Sequence, residues 1–247
     1  MPRPFLAAAL ALGLAAPAGA FDITAMDPAE KAAFGAAVKE WLLANPDVLI
    51  EMSQKLEAQQ YAAQADSDRD LLASQSAALF DDPASWVGGN PEGDVTVVEF
   101  MDYRCGYCRK AQAEVEELVA SDGNIRFVIK EFPILGEASL QSSKFAIAVR
   151  QIGGDDAYKR AHDALIALRG EPDDGTLGRL AADLGLESAA VLARMETPEV
   201  AAVIEANHAL AQRLQLEGTP SFVVEDTMVR GYVPLDGMRK IVAGVRG

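Results

Sequence analysis

The chain contains two cysteines, set three positions apart as Cys105-Gly106-Tyr107-Cys108. A disulfide closing so small a loop removes little entropy from the unfolded chain, so it is a poor structural staple. The pair is better suited to react. On a first helical turn, residues i and i+3 share one face and their sulfurs come within bonding reach. The first of them sits where unpaired backbone N–H groups and the helix dipole favour an anion. Because the thiolate is the attacking species in disulfide exchange, Cys105 is assigned as the nucleophile and Cys108 as the resolving thiol. Arg104, Arg109 and Lys110 are close in sequence and push the same way if their side chains face the sulfur.

Metal chemistry is the competing use of such a pair. Zinc usually takes four ligands, and no second cysteine pair exists, so no metal site or cofactor is expected. His162 and His208 lie far off in sequence and read as helix-surface residues, and Met228 and Met238 read as packing residues. Cu(I) held by the two thiolates alone stays open, since soft ligands select it.

The elements that would position the cysteines follow from patterning. Val95-Thr96-Val97-Val98-Glu99-Phe100 is β-branched and apolar, a buried strand, and a helix is expected from Cys105 to about Val119. Asp122-Gly123-Asn124 turns the chain into a second strand, Ile125–Ile129, closed by Phe132-Pro133. Strand, helix, strand at this spacing implies parallel pairing. Glu99 is the odd member of its strand. Facing inward beneath the helix, it would have a raised pKa and could relay a proton to the resolving thiol; the alternative, by strand alternation, is that it faces solvent. Lys130 is placed to neutralise it.

Residues 139–216 read as a block of helices, broken at Gly153-Gly154, at 170–175 and at Thr197-Pro198-Glu199. A hairpin around Asp226-Thr227 and a last helix, 235–245, complete the domain. Gly218-Thr219-Pro220 precedes the hairpin; a proline there suits an edge strand or an exposed strand start, and residue types alone do not make its bond cis.

Upstream, Asp27-Pro28-Ala29-Glu30 has the form of a capping box with proline at the first helical position. Phe34, Val38, Trp41 and Leu42 form one apolar stripe; Asn45-Pro46 breaks the helix, and Val48, Leu49, Met52 and Leu56 form a second. Two such helices have too few large side chains for a core of their own. Residues 21–80 are therefore expected to be a helical arm that self-associates, the alternative being an arm packed on its own domain. Residues 81–94, rich in proline and glycine, read as a linker, and 95–247 as the catalytic domain.

At the start, Arg3, the apolar run 5–16 and Ala18-Gly19-Ala20 fit a cleaved export signal over residues 1–20, with an uncleaved anchor as the alternative. Reactive cysteines in an exported chain point to an oxidising compartment. The net charge of −15 argues against nucleic-acid binding, which needs clustered Lys and Arg.

Taken together, Glu99-Phe100, Cys105-Gly106-Tyr107-Cys108, the helical block and Gly218-Thr219-Pro220 resemble the DsbA/DsbC/ScsC group of bacterial periplasmic proteins, over residues 93–247. The resemblance implies an α/β, thioredoxin-like fold with a helical insertion, preceded by the arm. It implies Glu99 as the buried acid, Pro220 as a cis-proline facing the cysteines, and Thr219 as the residue whose backbone pairs with substrate peptide, beside Gly106 and Tyr107. Oxidases of the group resemble a Cys-Pro-His-Cys centre; Gly106-Tyr107 and Thr219 look like the oligomeric isomerases, and the helical arm like that of ScsC-like proteins. The expected function is a protein-disulfide isomerase or reductase acting on unfolded or misoxidised exported proteins and reset by a membrane redox partner. A monomeric thiol oxidase and a copper-handling protein are the alternatives.

Overall fold

Two strands with opposite faces buried determine this architecture. The computed structural model describes residues 23–247, so the expected signal segment, 1–20, lies outside the described residues. The chain divides into two units between Gln59 and Gln60.

The first unit contains α1 (Pro28–Ala44) and the beginning of α2 (Asp47–Ser74). The capping box forms as expected: Asp27 Oδ1 accepts from the backbone of Ala29 and Glu30, and Glu30 reaches back to the Asp27 N–H at 2.9 Å. α1 buries no residue; Phe34, Val38, Trp41 and Leu43 are exposed, as are Leu49, Ile50, Met52 and Leu56 of α2.

The second unit comprises the end of α2, α3 (Ser76–Phe80), β1 (Trp86–Gly89), β2 (Val95–Met101), α4 (Gly106–Asp122) and β3 (Ile125–Glu131). It continues with α5 (Glu137–Ala167), α6 (Asp174–Asp183), α7 (Ser188–Met195), α8 (Pro198–Arg213), β4 (Ser221–Val224), β5 (Thr227–Arg230) and α9 (Leu235–Arg246). The strands form one sheet in the order β1-β3-β2-β4-β5. β2 and β3 are parallel, as the strand–helix–strand spacing implied, and the other neighbours are antiparallel. This is a thioredoxin-like sheet with a helical insertion, α5–α8, between β3 and β4.

Several boundaries differ from the expectation. Residues 81–94, read as a linker, hold β1, whose Trp86 stacks on Tyr158 and edges onto Phe127. Its four residues pair with Arg126–Ile129 of β3, and Trp86 Nε1 donates to the Asp155 carbonyl at 3.1 Å. The hairpin loop is Glu225-Asp226, one residue earlier than expected, because Val224 pairs with Thr227 and Glu225 takes a positive φ of 52°. Gly154, at φ 79°, breaks α5 as anticipated, while the break at Gly185, φ 81°, separates two helices that the pattern ran together.

Alternation divides the core. Val95, Val97, Met101, Ile125, Phe127 and Ile129 pack under α4 and α5. Val98, Phe100 and Val128 face the other way, against Leu72, Leu79, Leu210 and Leu214. Lys130 shares this second face, so it does not neutralise Glu99 as expected: its Nζ donates to Asp82 Oδ2 at 2.6 Å and to the Ala78 carbonyl at 2.7 Å. Lys130 is buried and its partner Asp82 half-buried, so breaking the pair from one side is costly. Lys130→Met is expected to lose about 2–3 kcal/mol of unfolding free energy, seen as a lower urea midpoint at an unchanged denaturant slope.

Candidate functional site

Cys105 is the residue before α4 and its N-cap, with extended backbone angles, and Cys108 is the third residue of the helix. Both are free thiols. Cys105 keeps 7 % of its surface accessible and Cys108 1 %, which suits attack from the first and resolution by the second. The Cys105 thiol donates to the Thr219 carbonyl at 3.2 Å. The Thr219–Pro220 bond is cis, and Pro220 lies just before β4. That strand is internal rather than an edge; the missing proline N–H falls outside the ladder, whose last pair with β2 is Phe100 with Ser221. The 114-residue separation of Cys105 and Thr219 is therefore closed by the sheet.

Gly106 has open space where a side chain would point. Tyr107 is exposed and stacks on Tyr232, with ring centroids 6.1 Å apart. The three cations near the motif are engaged elsewhere. Arg104 donates to the Gly170 carbonyl at 2.9 Å, Arg109 to the Tyr103 and Leu168 carbonyls at 2.8 and 2.9 Å, and Lys110 lies 4.2 Å over the Tyr232 ring.

Beneath the cysteines lies a polar layer that pattern reading did not find. Glu99 is buried on the α4 face, resolving the choice left open by alternation. Glu131, at the end of β3 opposite Met101, shares that face. It accepts from Tyr158 at 2.6 Å and from Tyr103 and Ser143 at 2.8 Å. Tyr103 also meets His162 Nδ1 at 3.2 Å, and His162 Nε2 meets Gln112 at 3.0 Å. His162 is thus buried, contrary to the surface reading, while His208 is half-buried against Phe132 and Met238 is buried as expected. Asp102, also buried, accepts from the Arg104, Ile134 and Leu135 N–H groups and from Ser139. The available signal was parity: extending the second strand to Glu131 would have placed that residue with Ile125, Phe127 and Ile129.

The DSBA-like thioredoxin domain profile matches residues 96–243. The chain belongs to the DsbA-like thioredoxin family. The profile of the copper resistance protein ScsC N-terminal domain matches residues 30–63. A thioredoxin-like oxidoreductase from Silicibacter pomeroyi is 47 % identical, with 69 % of this chain and 96 % of that one covered at a TM-score of 0.64. Proteus mirabilis ScsC in a transitional conformation is 25 % identical, with 90 % and 98 % covered, also at 0.64. The Na(+)/H(+) antiporter NhaA 1 of Salinispora arenicola is 31 % identical over 160 residues, 63 % of this chain. The chain spans about a quarter of the length of the curated antiporter relatives it matches.

In this DsbA-like domain the buried acids are electrostatically unusual. Desolvation, and then the charge of Glu131, lifts Glu99 to about 8. Desolvation lifts Glu131 to about 7 against the pull of its three hydroxyl donors. Burial, followed by the Glu99 charge, pushes the Cys108 thiol far up, and burial drops His162 to about 3, keeping it neutral. A carboxyl whose folded-state pKa is raised favours folding below its unfolded pKa, and that contribution is lost as pH rises through the folded value. Reduced protein should therefore lose stability between about pH 4.5 and 8, the window set by Glu99. Glu99→Gln should flatten this dependence and be the more stable form at pH 9, as read from urea midpoints across pH.

Proposed function

We propose that this chain is a thiol–disulfide oxidoreductase that reshuffles or reduces disulfides in exported proteins, with Cys105 as nucleophile, Cys108 as resolving thiol and Glu99 as proton acceptor. The observation that carries this reading is the Cys105 sulfur at the start of α4, 3.2 Å from the Thr219 carbonyl, with the second thiol buried one turn behind it. A substrate strand laid along the Thr219 and Pro220 main chain would bring its disulfide to that sulfur. The open space at Gly106 and the exposed ring of Tyr107 border the same approach.

The chemistry balances in two branches. The Cys105 thiolate attacks a substrate disulfide, forming a mixed disulfide and releasing one substrate thiolate. In isomerisation, another substrate thiolate attacks the partner sulfur, forms a new substrate disulfide and regenerates Cys105 with no net redox change. In reduction, Cys108 gives its proton to Glu99 and attacks the Cys105 sulfur. The Cys105–Cys108 disulfide forms, the substrate leaves as a thiol carrying two electrons, and an external reductant, a membrane redox partner, must reset the pair.

Support for reshuffling over net oxidation comes from the N-terminal segment. Residues 30–63 match the ScsC N-terminal domain, and Phe34, Trp41, Leu49, Ile50 and Leu56 expose apolar surface. Helices with such a stripe gain by burying it against copies of themselves, which we propose makes a homo-oligomer. The apolar run 5–16 with Ala18-Gly19-Ala20 supports periplasmic delivery. No helix among the described residues is long and apolar enough to cross a membrane.

Cys108→Ser should accumulate mixed disulfides with scrambled ribonuclease on non-reducing gels, and Cys105→Ser should form none; absence of trapping in Cys108→Ser would reverse the assigned roles. The wild type should also restore activity to scrambled ribonuclease. Activity regained only from reduced ribonuclease would point to an oxidase. By light scattering, the chain from residue 21 should be oligomeric and a chain starting at Gln60, where the second unit begins, monomeric. Equal monomeric masses would remove the oligomer reading.

A further inference from the structure

We propose that Glu131 is a positioning residue of the thiol chemistry, a second buried carboxylate whose charge strengthens Glu99 as the acceptor of the Cys108 proton. The inference deepens the oxidoreductase reading and rests on it.

The two carboxylates share one face because β2 and β3 are in parallel register, Glu99 beside Ile129 and Met101 beside Glu131. Both are buried, at 4 % and 3 % exposure. Their surroundings differ. Glu131 has three hydroxyl donors, two from α5 (Tyr158 and Ser143) and one from the loop after β2 (Tyr103). No such donor reaches Glu99 among the described residues, so of the two it is the less stabilised as an anion and the better placed to hold a proton. The titratable groups facing Glu131 are Asp102 and Tyr103 from the loop, Glu99 from β2, and Tyr158 from α5, with His162 beyond Tyr103. Glu99 faces Glu131 and Cys108. The nearby cations are committed elsewhere: Lys130 to Asp82 on the opposite sheet face, and Arg150 to Asp155 and the carbonyls of Pro83 and Ala84.

Like charges buried close together disfavour double ionisation, so an ionised Glu131 makes Glu99 the stronger base. During resolution the Cys108 proton moves to a Glu99 oxygen. The sulfur electron pair forms the bond to Cys105, the bond from Cys105 to substrate sulfur breaks, and the substrate thiolate takes a proton from water. Glu131 makes and breaks no bond in this step; it acts through its field on Glu99.

The test is a carbon-13 titration of the glutamate carboxyl groups in the reduced full chain, with Glu99→Gln identifying the Glu99 resonance. In Glu131→Gln, which keeps an acceptor for the tyrosines, the Glu99 midpoint should fall by about one pH unit. Tyr158→Phe removes the 2.6 Å donor, makes Glu131 harder to ionise, and should lower the Glu99 midpoint in the same direction by less. The acid limb of the mixed-disulfide resolution rate should move with the midpoint. A purely structural role would slow resolution without moving either. An unchanged Glu99 midpoint in both variants overturns the proposal; if Glu131→Gln fails to fold, Tyr158→Phe decides. The titration needs no substrate, so a shifted midpoint in a chain that exchanges no disulfides refutes the oxidoreductase reading, whereas exchange with an unshifted midpoint refutes the coupling.

Discussion

Parallel pairing of Val95–Met101 with Ile125–Glu131 is the constraint on which the rest of the site depends. In a strand, successive side chains point to opposite faces, so one register assigns every residue of both strands to one layer or the other. Here it sends Glu99 and Glu131 beneath the helix bearing the cysteines and Lys130 to the opposite layer with Asp82. A one-residue slip of β3 would put Lys130 under the thiols and Glu131 among Leu72, Leu79 and Leu210. The buried acids survive because the surrounding core, Val97, Met101, Ile129 and the inner face of α4, is secured by hydrophobic burial.

The turn carrying Cys105 is held by polar contacts of a kind rarely visible in sequence. Asp102 gathers donors from its own turn and from the segment 134–139, which leads into the inserted helices. Arg109 joins the Tyr103 carbonyl to that of Leu168 at the far end of α5, and Tyr103 joins Glu131 to His162. The insertion thus clamps the cysteine turn from one side, as Thr219-Pro220 approaches it from the other. A sulfur with only a sliver of exposure depends on such support, because exchange needs the attacking sulfur, the scissile bond and the leaving sulfur aligned.

The arrangement also gives the two cysteines different environments. Cys105 lies at the helix end against a main-chain carbonyl, and Cys108 is buried beside the Glu99 carboxyl. Burial and a neighbouring negative charge both hold Cys108 as a neutral thiol, so its reaction requires a proton acceptor nearby. Glu99, buried in the layer below, is the acceptor we propose.

The sequence by itself determined the chemistry and the local elements. The Cys-x-x-Cys spacing, the β-branched strands, the capping box at Asp27 and the break at Gly154 are short-range signals set by periodicity and turn preference, and they survive in the fold. Thr219-Pro220 stood out locally as a strand start, but was tied to the cysteines only through resemblance, because nothing local links it to a residue more than a hundred positions away. What tertiary structure alone decided was partnership: Lys130 with Asp82 rather than Glu99, His162 inside rather than outside, Trp86 as the anchor of an edge strand, and Glu131 as the companion of Glu99. Each depends on which face a residue presents and which distant element covers that face. A strand end misjudged by two residues hides an acid such as Glu131, since parity has meaning only once the register with a neighbouring strand is fixed.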